Sequence, residues 1–274
     1  MSLTNPAPAV TLTIAGSEAT GGAGAQADLR TFQELGVYGI AALTCIVSFD
    51  PKDSWNHRFV PVEPQVIADQ LEAIQTCYPL ETVKIGMLGT PATIDTVATA
   101  LKSQQWRNIV LDPVLICKGQ EPGAALDTDQ ALKAQILQLA TVVTPNHFEA
   151  ESLSGMSISS IEDLQEAAKR IHQISGAIVV AKGGIRLEGQ NAVDVYFDGT
   201  TLELLSAPKV GEVAVSGAGC TLAAAITAEL AKGATALEAA RTAKAFVTEA
   251  IRNRVSSAAP FDAVWQGGAS GTSA

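Results

Sequence analysis

Short β-branched runs alternate with helix-patterned stretches along nearly the whole chain, and this alternation limits the fold more than any single residue does. VTLTIA (10–15), GIAALTCIV (39–47), TVKIGM (82–87), NIVLD (108–112), ATVVTP (140–145) and AIVVAK (177–182) read as strands. Helical patterning falls between them: from Gln26 to Leu35 with Gly36 as the stop, after Pro64 at a helix N1 position, and near 91–103, 128–139 and 160–174. This order predicts a parallel sheet with helices on both faces. After Gly184 the pattern changes. AVDVYFD and TLELLSA flank Gly199 and predict an antiparallel hairpin at the sheet edge, followed by closing helices over roughly 219–232 and 235–254. No linker or repeat interrupts the pattern. The expectation is one domain over 10–258, a flexible start (1–9), and a mobile tail (259–274) that ends in small polar residues.

The bulk numbers fit that picture and exclude several function classes. Hydrophobic residues make up 47% of the 274 residues, enough for a sizeable core. The formal charge is −10, which opposes binding to nucleic acid or to anionic membrane surfaces. No apolar stretch is long enough to span a bilayer, and MSLTNPAPAV has no basic region leading into an apolar run. A cytoplasmic protein is therefore expected. Cys45, Cys77, Cys117 and Cys220 are not at metal-type spacing, and they are too few for a disulfide framework in a chain of this size.

Six segments have the composition of a ligand site. Residues 15–28, AGSEATGGAGAQAD, form a glycine-rich turn between a strand and a helix, where open α/β sheets bind ligands; a plain tight turn would look similar. Its spacing is not GxGxxG, which disfavours a nicotinamide-dependent oxidoreductase. Asp28, in the following helix, is placed to point a carboxylate into the cleft. In VSGAGCTLAAAITAELAKG (215–233), the N–H groups of Gly217, Ala218, Gly219 and Cys220 would point out of a helix N-terminus and bind an anion. A thiol at Cys220 would have a lowered pKa there and could accept a proton from a substrate hydroxyl; a buried packing cysteine is the alternative. In TPNHFEAESLSG (144–155), Asn146 and Glu149 share a face if a helix begins at Pro145, and are placed to hold Mg²⁺ or its waters; an ordinary helix start would have the same composition. Asp112 ends a strand on the edge where such sheets bind ligands. VLICKG (114–119) suits a flap over an anionic ligand, FDPKDSWNH (49–57) a wall for a flat ring, and AKGGIR (181–186) a contact to ATP phosphates.

Taken together, TIAGSEATGGAGAQADLRTFQELGVYG, VKIGMLGT, LDPV, TPNHFEA and GAGCTLAAAITAELAKG resemble the ribokinase-like superfamily. More narrowly, they resemble its branch of hydroxymethylpyrimidine kinases and related bacterial pyridoxine/pyridoxal kinases. The resemblance covers about residues 10–255. It implies a three-layer α/β sandwich, ATP as phosphoryl donor with Mg²⁺, a B6 vitamer as acceptor and a homodimer. It implies that Gly16, Ser17, Asp28, Phe49, His57 and Met87 line the vitamin site, and that Gly217, Ala218, Gly219 and Cys220 form an anion hole with Cys220 in the catalytic position. Asn146, Glu149, Lys182, Gly183 and Gly184, with Asp112 nearby, would serve ATP, and Glu149 and Asp112 the metal. Phe49 stands where the pyrimidine kinases usually carry a glutamine. It cannot pair with an aminopyrimidine but can pack on a pyridine, which favours the pyridoxal-kinase-like members over the pyrimidine kinases. Ser216 departs from the histidine those members usually have before GAGC. A non-catalytic sensor on the same fold is a further alternative, opposed by the retention of Cys220, Asn146 and Glu149.

The resemblance also places Cys117 on the flap, where its thiol would add reversibly to the aldehyde of pyridoxal. Pyridoxine, an alcohol, has no carbonyl to receive it. Cys117→Ala is expected to lower turnover of pyridoxal more than that of pyridoxine; equal losses in parallel initial-rate assays would remove this role.

Overall fold

The computed structural model describes residues 7–114 and 122–268. In chain order its elements are β1 (Val10–Glu18), α1 (Gly24–Glu34), β2 (Tyr38–Asp50), β3 (Asn56–Pro61), α2 (Pro64–Cys77), β4 (Thr82–Ile85), α3 (Pro91–Lys102), β5 (Asn108–Leu111), α4 (Pro122–Gln135), β6 (Val142–Val143), α5 (His147–Ser154), α6 (Ile161–Ser175), β7 (Ile178–Lys182), β8 (Asn191–Phe197), β9 (Leu202–Pro208), α7 (Ala218–Ala231) and α8 (Ala236–Arg252). One sheet runs β3-β2-β1-β4-β5-β6-β7-β8-β9. The pairs from β2 through β7 are parallel, while β3, β8 and β9 pair antiparallel. The expected three-layer α/β sandwich with an edge hairpin is present.

Strand alternation divides the core into two layers. Leu12, Ile14, Val83, Ile85, Ile109, Leu111, Val143, Val179 and Ala181 face the cluster built with α2, α3 and α6. Val110, Val142 and Val180 face the opposite cluster, which the Ala-rich α7 and α8 complete. Helix ends follow local chemistry. Thr90 accepts from the Thr93 amide ahead of Pro91, and α6 opens with a Ser160/Asp163 capping box and closes at Gly176 in the left-handed region.

The differences from expectation are local. The strand expected at 39–47 continues to Asp50 and turns back through Pro51–Trp55 into β3, so the sheet is antiparallel at both edges. NHRFVP is short and mostly exposed, as suits an edge strand, and it lacks the apolar run that marks the inner strands. Residues 262–268 lie in the stretch expected as a loose tail, yet they are tied into the domain. Ala263 bridges both Val255 and Ser216, and the fully buried Gln266 donates to Thr221 at 3.0 Å.

Three polar side chains lie on the α1/α7 side of the sheet. Lys84 of β4 donates to both carboxylate oxygens of Asp28 of α1, at 3.0 and 2.8 Å, and Thr13 of β1 donates to the same carboxylate at 2.6 Å. Lys84 and Asp28 are both 0% exposed. Asp28 therefore does not point into the cleft as the sequence suggested, because both its oxygens are taken up inside the protein. Burial by itself would lower the pKa of Lys84; Asp28, with Cys220 and Asp112 farther off, outweighs it and raises it. Lys84→Met strands a buried carboxylate and is expected to cost about 3–5 kcal/mol. Urea unfolding should show that adding Asp28→Asn to it recovers much of that loss.

Candidate active site

The glycine-rich turn after β1 is braced from inside by one carboxylate. Glu18 accepts from the amides of Thr20 (2.6 Å), Gly22 (2.8 Å) and Ala23 (3.3 Å), and from the Thr20 hydroxyl. Gln26 clamps the same turn from α1: it donates to the Ser17 hydroxyl at 2.7 Å and accepts from the Glu18 amide at 3.1 Å. Gly24 has φ +62°, and a Cβ there would stand 2.3 Å from the Gly16 carbonyl oxygen. A Cβ on Gly16 would meet Cys45 Sγ at 2.5 Å and lie 3.8 Å from Met87 Sδ. The fold thus brings together Gly16, Ser17 and Met87, three of the residues expected in the vitamin site. Burial pushes the Cys45 thiol up to about 11, so this cysteine is a packing group.

The second part is the start of α7. Gly217 is its N-cap with φ +80°, and a Cβ there would fall 1.8 Å from the Gly22 carbonyl oxygen, so only glycine fits against the first turn. No side chain caps the helix. Ala218 N–H bonds the Val215 carbonyl at 3.3 Å, and Thr221 is bonded back to Gly217, which leaves Gly219 and Cys220 as the amides facing out of the first turn. Lys182 Nζ lies 3.1 Å from where a Cβ on Gly219 would be, placing an ammonium beside these donors. The expected lowered pKa of Cys220 is not found. Desolvation pushes its thiol up to about 11, against the opposing effects of Lys84 and a hydrogen bond from the Gly24 backbone. The helix start alone does not offset that loss of water.

The third part is acidic. Lys182 donates to Asp112 at 2.8 Å, with Thr144 on the same oxygen at 3.4 Å. Burial opposes ionisation of Asp112, but Lys182 and Lys84 prevail and hold it below the usual carboxylate range. Asn146 and Glu149 form a capping box on α5: the Asn146 side chain accepts from the Glu149 amide at 3.0 Å, and Glu149 accepts from the Asn146 amide at 2.7 Å. The helix begins at His147, so the pair sits at its N-cap and N3 positions. Burial pushes Glu149 up to about 8, with Asp112 adding repulsion and Lys182 opposing it. Gly183 N–H reaches Asp194 at 3.1 Å, and Asp194 is paired with Lys244 at 2.8 Å, which fixes the turn after β7. Gly184 follows with φ +58°.

The fourth part is aromatic. Phe49 and His57 face each other across β2 and β3, with ring centroids 4.6 Å apart. Their hairpin forms the β3 edge of the sheet, with β1 and β4 between it and β5, the strand that leads to Asp112. Cys117, with Lys118 and Gly119, lies outside the described residues. Glu18, Gln26 and Lys84 were not singled out by the sequence. Only the presence of charged residues inside a glycine-rich turn and an apolar strand could have signalled two of them.

A family model for phosphomethylpyrimidine kinase matches residues 18–264. A pyridoxine kinase from Bacillus subtilis is 48% identical over 242 residues, covering 88% of this chain and 89% of its own. A solved ADP complex of Bacillus subtilis pyridoxal kinase superposes with a TM-score of 0.89 at 46% identity, over 94% of this chain and 97% of that one. The pyridoxal kinase of Staphylococcus aureus, solved with AMP-PCP and pyridoxal, gives 0.88 at 41% identity, over 96% and 95%.

The raised pKa of Glu149 has a pH signature. A carboxyl whose pKa is about 8 when folded and near its model value of 4.5 when unfolded adds stability that is full below 4.5 and lost as pH rises through 8. Glutamine keeps the capping-box acceptor. Thermal melts from pH 5 to 9 should therefore show a steeper decline for the parent protein than for Glu149→Gln.

Proposed function

The chain belongs to the phosphomethylpyrimidine kinase family, and we propose that it transfers the γ-phosphoryl group of ATP to the 5-hydroxymethyl oxygen of pyridoxal or pyridoxine. The observation that carries this reading is the uncapped first turn of α7 with the Lys182 ammonium beside it. Phosphoryl transfer needs stabilisation of charge on the transferring oxygens more than it needs covalent help, and outward amides with a neighbouring cation supply that. A new bond forms between the hydroxymethyl oxygen and phosphorus as the bond to the ADP oxygen breaks. The hydroxyl proton passes to the thiolate fraction of Cys220, a minor fraction at neutral pH given a thiol near 11.

The residues present fit Mg²⁺. Asp112 offers an ionised carboxylate next to Lys182, Glu149 adds a carboxyl that gives up its proton when a cation binds, and among the described residues there is no cluster of three or more candidate ligands. Mg²⁺ commonly takes one or two carboxylates and fills its shell with phosphate oxygens and water. Asp112 and Glu149 would hold it, and it would neutralise charge on the nucleotide phosphates. Phe49 and His57 form the wall for a flat heteroaromatic ring, and Gly16, Ser17 and Met87 form the floor. Asp28 acts from beneath, by holding Lys84 in place.

Initial rates of ADP release with Mg·ATP against pyridoxal, pyridoxine, pyridoxamine and hydroxymethylpyrimidine test the assignment. A B6 vitamer is expected to lead; a lead for hydroxymethylpyrimidine would keep the kinase and replace its substrate. Cys220→Ala should lower kcat by about 10²–10⁴-fold with little change in the KM for ATP.

A further inference from the structure

The segment after α8 touches three parts of the site at once. The Phe261 ring lies 4.7 Å from Phe49 and 6.4 Å from Trp55, centroid to centroid, on the hairpin that carries His57. One residue on, the Asp262 carbonyl accepts from the Ser216 amide at 2.9 Å, directly before the Gly217 cap of α7. Ala263 bridges Ser216 in parallel register, and its Cβ would be 3.1 Å from a Cβ placed on Gly22. Val264 N–H then returns to the Ser216 carbonyl at 3.1 Å, and Val264 is 1% exposed. Four consecutive residues therefore fix the distance between the aromatic hairpin, the glycine-rich turn and the anion-binding helix start.

Phe261 differs from its neighbours in this segment. Ala263 and Val264 act through their backbone or by packing and Asp262 through its carbonyl and an ion pair with Arg254 at 2.8 Å, whereas Phe261 offers a half-buried ring to two other aromatics. Phe49 lies against both His57 and Phe261, at 4.6 and 4.7 Å between centroids, so the ring wall is made of three side chains rather than two. Aromatic faces contacting at tilted angles hold a further flat ring well, through both area and quadrupole.

We propose that Phe261 is a specificity-determining residue that completes the wall for the acceptor ring and fixes that ring's distance from the anion-binding turn of α7. This rests on reading the site as a kinase site for a flat-ring acceptor. A ring held by Phe261 inherits the position of Ser216 through Asp262, so its hydroxymethyl group is set relative to Gly219 and Cys220 by a short path through the Ser216–Asp262 hydrogen bond. The position is also a means of discrimination: a larger or more polar acceptor must displace an aromatic contact that the backbone at Ser216 holds in place.

The test uses Phe261→Ala, Phe261→Leu and Phe261→Tyr in the full chain, with the acceptor that the parent protein turns over fastest among the three B6 vitamers and hydroxymethylpyrimidine. The identity of that acceptor judges the functional reading; the ratios between variants judge Phe261. Phe261→Ala should raise acceptor KM roughly tenfold and lower kcat by about as much, while the KM for ATP stays within about threefold. Phe261→Tyr should restore acceptor KM. Where the alanine variant melts too low to assay, Phe261→Leu keeps most of the packing volume and should still raise acceptor KM. An unchanged acceptor KM in the alanine or leucine variant would overturn the proposal. So would a rise in the KM for ATP as large as that in acceptor KM, because the segment would then serve only to hold the start of α7.

Discussion

The ion pair between Asp28 and Lys84 is the fixed point from which the cleft is built. It joins the first helix of the chain to a central strand on the side of the sheet where α7 packs, and Thr13 binds the same carboxylate from β1. A charge pair wholly out of water is weak evidence for net stability, since its desolvation offsets most of the attraction. Its geometric effect is stronger, because both charges are wholly buried and each is bonded to the other. α1 and β4 are thereby held in one register, and α1 carries the end of the glycine-rich turn. That the pair also places a cation under Cys220 and Asp112 means the interior and the site share one electrostatic unit.

Close backbone approach is the second constraint. The site has two chain turns that touch: the one after β1 and the one before α7, meeting where Gly217 lies against the Gly22 carbonyl. With no Cβ between them, the outward amides of α7 stand next to the turn that carries Gly16 and Ser17. Under the proposed function the transferring group and its acceptor have to come within bond-forming reach, and this contact sets the two turns side by side.

Much of this was legible in the sequence, and the reasons differ by element. The inner strands and α7 announce themselves by continuous apolar runs, because both of their faces are buried, and α8 by its amphipathic period. β3 did not, since an edge strand has little apolar signal to give. The glycines of the site were readable as glycines, but not which of them must be glycine; at Gly24 the Gly16 carbonyl within the same turn decides that, and at Gly217 the distant Gly22 carbonyl does. Asp28 was misplaced because a carboxylate in a helix next to a glycine-rich turn looks alike whether it faces ligand or a lysine on a neighbouring strand. The Cys220 thiol was misjudged because helix-terminus chemistry is local, whereas desolvation depends on the whole surrounding fold. Asn146 and Glu149 were right in spacing. The pattern that suggested a metal site is equally a capping box, and here the same atoms serve the helix.

The meeting of Gly22, Ser216 and Ala263 joins the first turn of the chain to two segments that follow every strand of the sheet. Contacts between such distant positions close some of the longest loops among the described residues, and their closing costs more chain entropy than neighbouring pairings do. The parallel sheet and its ion pair involve earlier segments alone, whereas the cleft needs the last described residues as well. Catalytic competence in this fold is a report on completed folding, not on the presence of the sheet.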